Sequence, residues 1–214
     1  MSTESLLLRW ARDSLIIPVI VVDELAAAVP LAKALHEGGL TTLEVTLRTP
    51  VALDAISAIR AALPDTVVGA GTVINVDAAA AARKAGAQFA VSPGYLSALG
   101  RYCGDNAIPL LPGVSTASEV MAALADGYDF LKFFPAAAAG GTAMLEALRG
   151  PFPEVKFCPT GGVNASNAAN YLALANVVCV GGSWMVSREL VRAADWGQIT
   201  SLSRQALAAL KDTG

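Results

Sequence analysis

The sequence predicts an α/β fold, a single-domain (β/α)8 barrel of the TIM type over residues 1–214, with an extra leading helix within residues 1–14. Three observations carry that expectation. Short β-type runs alternate along the whole chain with helix-length stretches dense in Ala, Leu, Arg and Lys, the pattern of repeated parallel βαβ units. Hydrophobic residues make up 54% and charged residues only 15%, as suits strands buried on both faces. Open doubly wound sheets share the alternation. Here, however, strand after strand ends in a small or polar residue followed by Gly, Pro or Thr, where the loops of a barrel's active face begin.

The strand candidates are Ile17–Val22, Thr42–Thr46, Val67–Ala70, Phe89–Ser92, Leu110–Pro112, Phe130–Phe133, Lys156–Pro159 and Val177–Val180. Between them fall helical stretches at Leu25–Glu37, Val51–Leu63, Val76–Ala85, Leu96–Asp105, Ala117–Ala125, Thr142–Leu148 and Asn167–Leu174, built from good helix formers. Trp196–Leu210 supplies a last helix, and Ser2–Arg12 a leading one that covers the lower end of the barrel. No linker, charge run or low-complexity tract divides the chain.

A formal net charge of −3 argues against nucleic acid as a partner, since that role calls for a basic face. A small phosphorylated ligand stays open, because backbone amides hold phosphate without net charge. No segment approaches the roughly 18 uninterrupted apolar residues of a membrane span. The segment Met1–Asp13 lacks the apolar core of a signal peptide, so a cytoplasmic protein without membrane partners is expected. Cys103, Cys158 and Cys179 are an odd set, two of them in strand-like runs, and read as buried thiols. The only histidine, His36, precedes Gly38-Gly39 and reads as a helix-end residue. One histidine supports neither a zinc site nor histidine base chemistry.

Lys132 stands out first. It lies in Phe130-Leu131-Lys132-Phe133-Phe134, inside a strand where an ammonium ion is costly. Desolvation favours the neutral amine, the form that attacks a ketone to make an imine. Alternation puts Phe130, Lys132 and Phe134 on one side and Phe133 toward the helices. The competing reading is an ion-paired structural lysine or a strand-end lysine reaching solvent. Glu44 interrupts a second apolar strand, and imine chemistry needs a proton shuttle beside the amine. Glu44 falls on the second predicted strand and Lys132 on the sixth, and inward layers of such a barrel draw on alternate strands. Arg48, just past the strand end, could clamp a carboxylate with its planar fork, or could be a surface arginine.

Two glycine pairs follow the last two predicted strands, Thr160-Gly161-Gly162 and Gly181-Gly182-Ser183. Loops at those positions often build phosphate sites in this fold. Gly69-Ala70-Gly71-Thr72 reads as a degenerate glycine-rich loop without dinucleotide spacing, and Thr72 there could present a hydroxyl. Trp10, Trp184 and Trp196 read as packing residues.

Taken in order, Leu43-Glu44-Val45-Thr46-Leu47-Arg48-Thr49, Gly69-Ala70-Gly71-Thr72-Val73, Lys132-Phe133-Phe134-Pro135-Ala136 and Cys158-Pro159-Thr160-Gly161-Gly162 resemble the class I family of 2-keto-3-deoxy-6-phosphogluconate (KDPG) and 4-hydroxy-2-oxoglutarate (KHG) aldolases. The likeness runs from about Ile17 to the last helix. It implies a metal-independent enzyme of the Entner–Doudoroff pathway, working through a covalent imine with no cofactor. Its partners would be a 2-oxo acid and a phosphorylated aldehyde, and the assembly a homotrimer. By resemblance, Lys132 is the Schiff-base lysine and Glu44 the proton-transfer residue. Arg48 and Thr72 hold the pyruvate carboxylate, Thr160 guides stereochemistry, and Phe134 walls the pocket. Gly161, Gly162, Gly182 and Ser183 hold phosphate. One departure is visible: family members often carry Glu and Asn in the loop that here reads Ala137-Ala138-Ala139-Gly140-Gly141.

Two other readings fit parts of this pattern. A sugar-phosphate epimerase or isomerase would use acid–base residues without an imine. A silent phosphate-binding barrel would have no reason to bury both charges.

Overall fold

The computed structural model describes residues 6–211. Its strands are β1 (Ile16–Ile20), β2 (Thr42–Thr46), β3 (Val67–Gly71), β4 (Phe89–Val91), β5 (Leu110–Leu111), β6 (Gly113–Val114), β7 (Phe130–Phe133), β8 (Lys156–Pro159) and β9 (Val180–Gly182). Every strand pairing is parallel. Six strands form one curled sheet in the order β5-β4-β3-β2-β1-β9, and three form a second in the order β6-β7-β8. The chain runs through Pro112 from one sheet to the other, and on the opposite side only the isolated bridges Phe157–Val177 and Thr160–Gly181 link them, with no continuous ladder. All strands therefore point their carboxyl ends the same way, and the loops that follow them share one rim.

Two sequence expectations shift here. The predicted fifth strand is two short pieces around Pro112, which has no N–H to continue a ladder. Leu110–Leu111 stays with β4 while Gly113–Val114 pairs with β7. The predicted eighth strand starts late, at Val180, with Val177 making only an isolated bridge.

The helices are α1 (Leu6–Ser14), α2 (Leu25–Glu37), α3 (Ala52–Ala62), α4 (Val76–Lys84), α5 (Ser97–Asp105), α6 (Ala117–Ala125), α7 (Gly141–Arg149), α8 (Ala168–Leu172), α9 (Arg188–Arg192) and α10 (Trp196–Lys211). The short α9 has no counterpart in the sequence reading. The leading helix is described over Leu6–Ser14, and the first residues predicted for it lie outside the described ones. Local chemistry sets several helix starts. Asn75 accepts the Ala78 amide at 2.8 Å, Ser187 caps α9, and Thr116 with Glu119 forms a reciprocal box at α6.

Strand alternation sorts side chains into two apolar layers. Leu43, Val45, Leu131, Phe133 and Phe157 face outward into the layer shared with the helices. Ile17, Phe89, Val91, Leu111, Phe130, Cys158 and Cys179 face inward, and Leu7 and Ala11 of α1 join them. Those α1 residues are spaced i, i+4 on one face, with Trp10 tilted against Phe89 at 6.4 Å between ring centroids. The interior is thus filled at its amino-terminal end. His36 lies in the last turn of α2, where Nδ1 is hydrogen-bonded to Thr66 Oγ1 at 2.8 Å. The three cysteines are free and buried. Burial pushes the Cys103 thiol up to about 11. Burial, with the neighbouring Cys158 adding to it, pushes Cys179 well up too, so both stay poor nucleophiles. No described helix is long and apolar enough to cross a membrane.

Candidate active site

Two buried charges meet across the interior. Lys132 Nζ lies 3.1 Å from Glu44 Oε1 and 3.4 Å from Oε2, with side chains only 7% and 3% exposed. The two residues come from β7 and β2, which belong to different sheets, so the contact bridges the two sheets. Neither charge is left alone in a medium where an unpaired ion is costly. Phe134, half-buried just past β7, places its ring centroid 5.4 Å from Nζ, within cation–π range. The Phe134–Pro135 peptide is cis.

The glycines around this pair serve mainly as clearance. Gly69 and Gly71 lie within β3 and are not the loop the sequence suggested. A Cβ on Gly71 would overlap the Glu44 carboxylate, and one on Gly69 would overlap the Phe89 ring. Gly113 pairs in register with Lys132, and a Cβ there would strike the Pro93 backbone. Glu44 can thus lie over β3 toward Lys132 only because position 71 is bare.

Around the rim the other predicted residues take separate places. Thr46, ending β2, donates to Ile20 O at 3.0 Å and accepts from Arg48 Nε at 3.1 Å. Arg48 itself is exposed, and among the described residues no acidic side chain pairs with it. Thr72 follows β3 at φ 60, a left-handed conformation that a β-branched residue rarely adopts. Thr160, buried at the end of β8, has its Oγ1 in the space that a Cβ on Gly181 would fill. Gly161 and Gly162 turn the chain at φ 95 and 80. The Gly162 carbonyl is held by Asn167 Nδ2 at 2.9 Å. Gly182 leaves room for Trp184, and Ser183 is exposed beyond it. Among the described residues predicted for the site, Lys132 meets Glu44 by a hydrogen bond and Phe134 through its ring face. Arg48, Thr72, Thr160, Gly161, Gly162, Gly182 and Ser183 stand on the same rim without bonding to that pair.

The alanine loop meets the glycine turn. Ala136 N donates to Thr160 O at 2.8 Å and Ala137 N to Gly161 O at 3.0 Å, and a Cβ on Gly162 would overlap Ala137. Beside it a cavity of about 390 Å³ is lined by Ala137, Gly140, Gly141, Thr142, Asn167 and Asn170, among others. Another, of about 380 Å³, lies at the opposite end against Leu7, Cys103 and Phe130, and shares nothing with the predicted site. Among the described residues no group of three or more His, Cys, Asp and Glu gathers as metal ligands would.

The sequence reading missed Thr46 and the role of Gly71. The signal for Thr46 was present in Thr42-Leu43-Glu44-Val45-Thr46, whose inward column is polar at every second position.

Parallel strands that carry a buried amine against a carboxylate near their carboxyl ends are a setting for lysine-based carbonyl chemistry, and similarity to known proteins defines the chain as a carbon–carbon lyase. Residues 8–202 match the family model described as aldolase, KDPG and KHG aldolase. The chain belongs to that family. It is 50% identical over 196 residues to the 2-dehydro-3-deoxy-phosphogluconate aldolase of Pseudomonas aeruginosa, covering 92% of this chain and 89% of that protein. It is also 50% identical over 196 residues to the KHG/KDPG aldolase of Escherichia coli K12, covering 92% of each. A crystal structure of KDPG aldolase from Legionella pneumophila, with pyruvate captured at low pH as a covalent carbinolamine, superposes with a TM-score of 0.91. It shares 50% identity and covers 93% of this chain and 97% of that one.

Proposed function

We propose that the protein cleaves 2-dehydro-3-deoxy-6-phosphogluconate reversibly to pyruvate and glyceraldehyde 3-phosphate, as a metal-independent step of the Entner–Doudoroff pathway. The observation that carries this is the buried contact of 3.1 Å between Lys132 Nζ and Glu44 Oε1. An imine-forming enzyme needs an amine and a proton carrier within one hydrogen bond of each other. The carbinolamine in the Legionella relative supports the same chemistry here.

On this reading neutral Lys132 attacks the C2 ketone, the carbinolamine loses water, and an iminium forms. Glu44, directly or through water, takes the proton of the C4 hydroxyl. The C3–C4 bond breaks, its electron pair enters the iminium to give an enamine, and the aldehyde departs. Protonation at C3 and hydrolysis release pyruvate and restore the amine. The iminium does the polarising that a Lewis acid does elsewhere. Arg48 and Thr72 hold the carboxylate, Phe134 walls the reacting carbons, and Thr160 faces the aldehyde carbon. Gly161, Gly162, Gly182 and Ser183 take the phosphate.

Residues 1–214 form, on this reading, a single (β/α)8 barrel with a leading helix within 1–14. It assembles as a homotrimer in the cytoplasm. A second substrate, 4-hydroxy-2-oxoglutarate cleaved to pyruvate and glyoxylate, is favoured by the E. coli relative's double name and by the loop Ala137–Ala139, which offers no polar side chain to a phosphorylated tail.

Borohydride added with pyruvate tests the core of the reading. A pyruvate-derived mass should appear on the peptide that contains Lys132, and an adduct on another lysine, or none, refutes the assignment. Glu44→Gln should still trap pyruvate while turnover falls sharply. Comparing kcat/KM for the phosphorylated sugar acid and for 4-hydroxy-2-oxoglutarate decides the main substrate.

A further inference from the structure

The inward face of β2 is polar along its whole length. Thr42, Glu44 and Thr46 occupy alternate positions, all buried, while Leu43 and Val45 face the helices. Two of the three have evident partners outside the rim. Thr42 Oγ1 accepts from Ser14 Oγ at 2.7 Å, tying β2 to α1, and Glu44 meets Lys132. Thr46 is 2% exposed and neither contacts the amine nor closes the floor.

Its hydroxyl is fully committed instead. The proton goes to Ile20 O at 3.0 Å, so the oxygen can offer Arg48 Nε only a lone pair, which it does at 3.1 Å. The segment around it is stitched down on both sides. Thr49 Oγ1 donates to Val22 O at 2.6 Å, Leu47 N to Gly71 O at 2.8 Å, and Arg48 N to Thr46 O at 2.8 Å. A guanidinium can meet a carboxylate through its Nε edge or through its two terminal nitrogens. With Nε occupied, only the terminal pair is left to an incoming ligand.

We propose that Thr46 is a positioning residue for the 2-oxo acid carboxylate: its hydroxyl, anchored on Ile20 O, holds the Arg48 side chain by Nε and turns the Nη1–Nη2 edge toward the site. The inference rests on the reading of Arg48 as the carboxylate clamp. Thr46 touches no reacting atom and acts entirely through Arg48. Its contribution is the freedom Arg48 has already lost before pyruvate arrives.

A double-mutant cycle with pyruvate as the probe tests this. Two quantities are read: the pyruvate concentration that half-saturates borohydride trapping, and the rate of solvent-deuterium entry into the pyruvate methyl at saturation. Thr46→Val should raise the half-saturating concentration about three- to tenfold, as expected for releasing one long side chain, with the saturated rate within about twofold. Thr46→Ser keeps both hydrogen bonds and should restore the wild-type value. In an Arg48→Ala background Thr46→Val should add nothing further. An equal penalty in both backgrounds, or no penalty while Arg48→Ala alone weakens pyruvate binding, overturns the proposal and leaves the Arg48 reading standing. If Arg48→Ala itself leaves pyruvate binding unchanged, the clamp reading falls and this inference falls with it. Should Thr46→Val not yield folded protein, Thr46→Ala takes its place under the same criteria.

Discussion

Gly71 lies so close beneath the Glu44 carboxylate that one added methyl would overlap its Oε1. The bare α-carbon on β3 is therefore part of what sets the distance between Glu44 and Lys132. Gly71→Ala should displace the carboxylate while leaving Lys132 in place. Misplacement on the order of 1 Å costs about a hundredfold in catalysis, so kcat should drop by about that factor while borohydride still traps pyruvate on the enzyme. Unchanged kcat in Gly71→Ala would show that Glu44 tolerates displacement.

The Lys132–Glu44 pair is buried on both sides, and removing one member leaves the other as an uncompensated charge. Lys132→Met should destabilise the protein by about 3–5 kcal/mol. The double variant Lys132→Met/Glu44→Leu should regain most of that loss, since two apolar groups in the same space need no partner. Urea unfolding of the three proteins checks the ordering; a double variant no more stable than the single one contradicts it.

Thr72 holds a left-handed backbone at φ 60, a strain of about 1–3 kcal/mol for a non-glycine residue. Thr72→Gly relieves it at an entropic cost of about 0.5–1 kcal/mol. The variant should be more stable by about 1 kcal/mol. On the proposed carboxylate role it should also bind pyruvate more weakly. Thermal unfolding and the KM for pyruvate give the two readouts, and a loss of stability would mean that the strain is compensated locally.

Glu119 closes the box at the start of α6, with Oε2 receiving the amides of Ser115 at 2.7 Å and Thr116 at 2.9 Å. Burial alone would raise its carboxyl, but the hydrogen bonds from Ser115 and Thr116 outweigh burial and hold it below the usual carboxylate value. The stabilisation is then complete above the ordinary glutamate range and is lost as pH falls through the lowered native value. Glu119→Ala should cost about 1 kcal/mol near neutrality, and the gap to wild type should narrow in acid. A gap independent of pH would assign the effect to packing.

Much of this was legible because the chemistry interrupts a pattern. Lys132 and Glu44 are charges inside apolar strands, and alternation alone put Phe130 with Lys132 and Phe133 with the helices, as the two apolar layers bear out. In the sequence Pro112 reads as the end of a strand, whereas in the fold it divides one, because a missing N–H breaks the ladder on one side only. Gly69 and Gly71 looked like a loop because glycine in sequence signals flexibility, while in β3 it marks where Phe89 and Glu44 press close. Such clearances depend on residues far away in the chain, so local pattern cannot report them. The relay from Ile20 through Thr46 to Arg48 was hidden for the same reason.

The inward cluster of Phe89, Phe130, Leu111 and Trp10 beneath α1 stops the enclosed space at one end. On the proposed barrel and site, the pocket is a cul-de-sac. Whatever enters must leave by the same mouth, with Lys132 at depth and the glycine turns at the opening. On the proposed mechanism, the fragment bonded to Lys132 in cleavage is the inner one, so the aldehyde must clear the mouth before pyruvate can. In synthesis the order reverses: pyruvate must already be attached when the aldehyde arrives, and an aldehyde that enters first blocks the way.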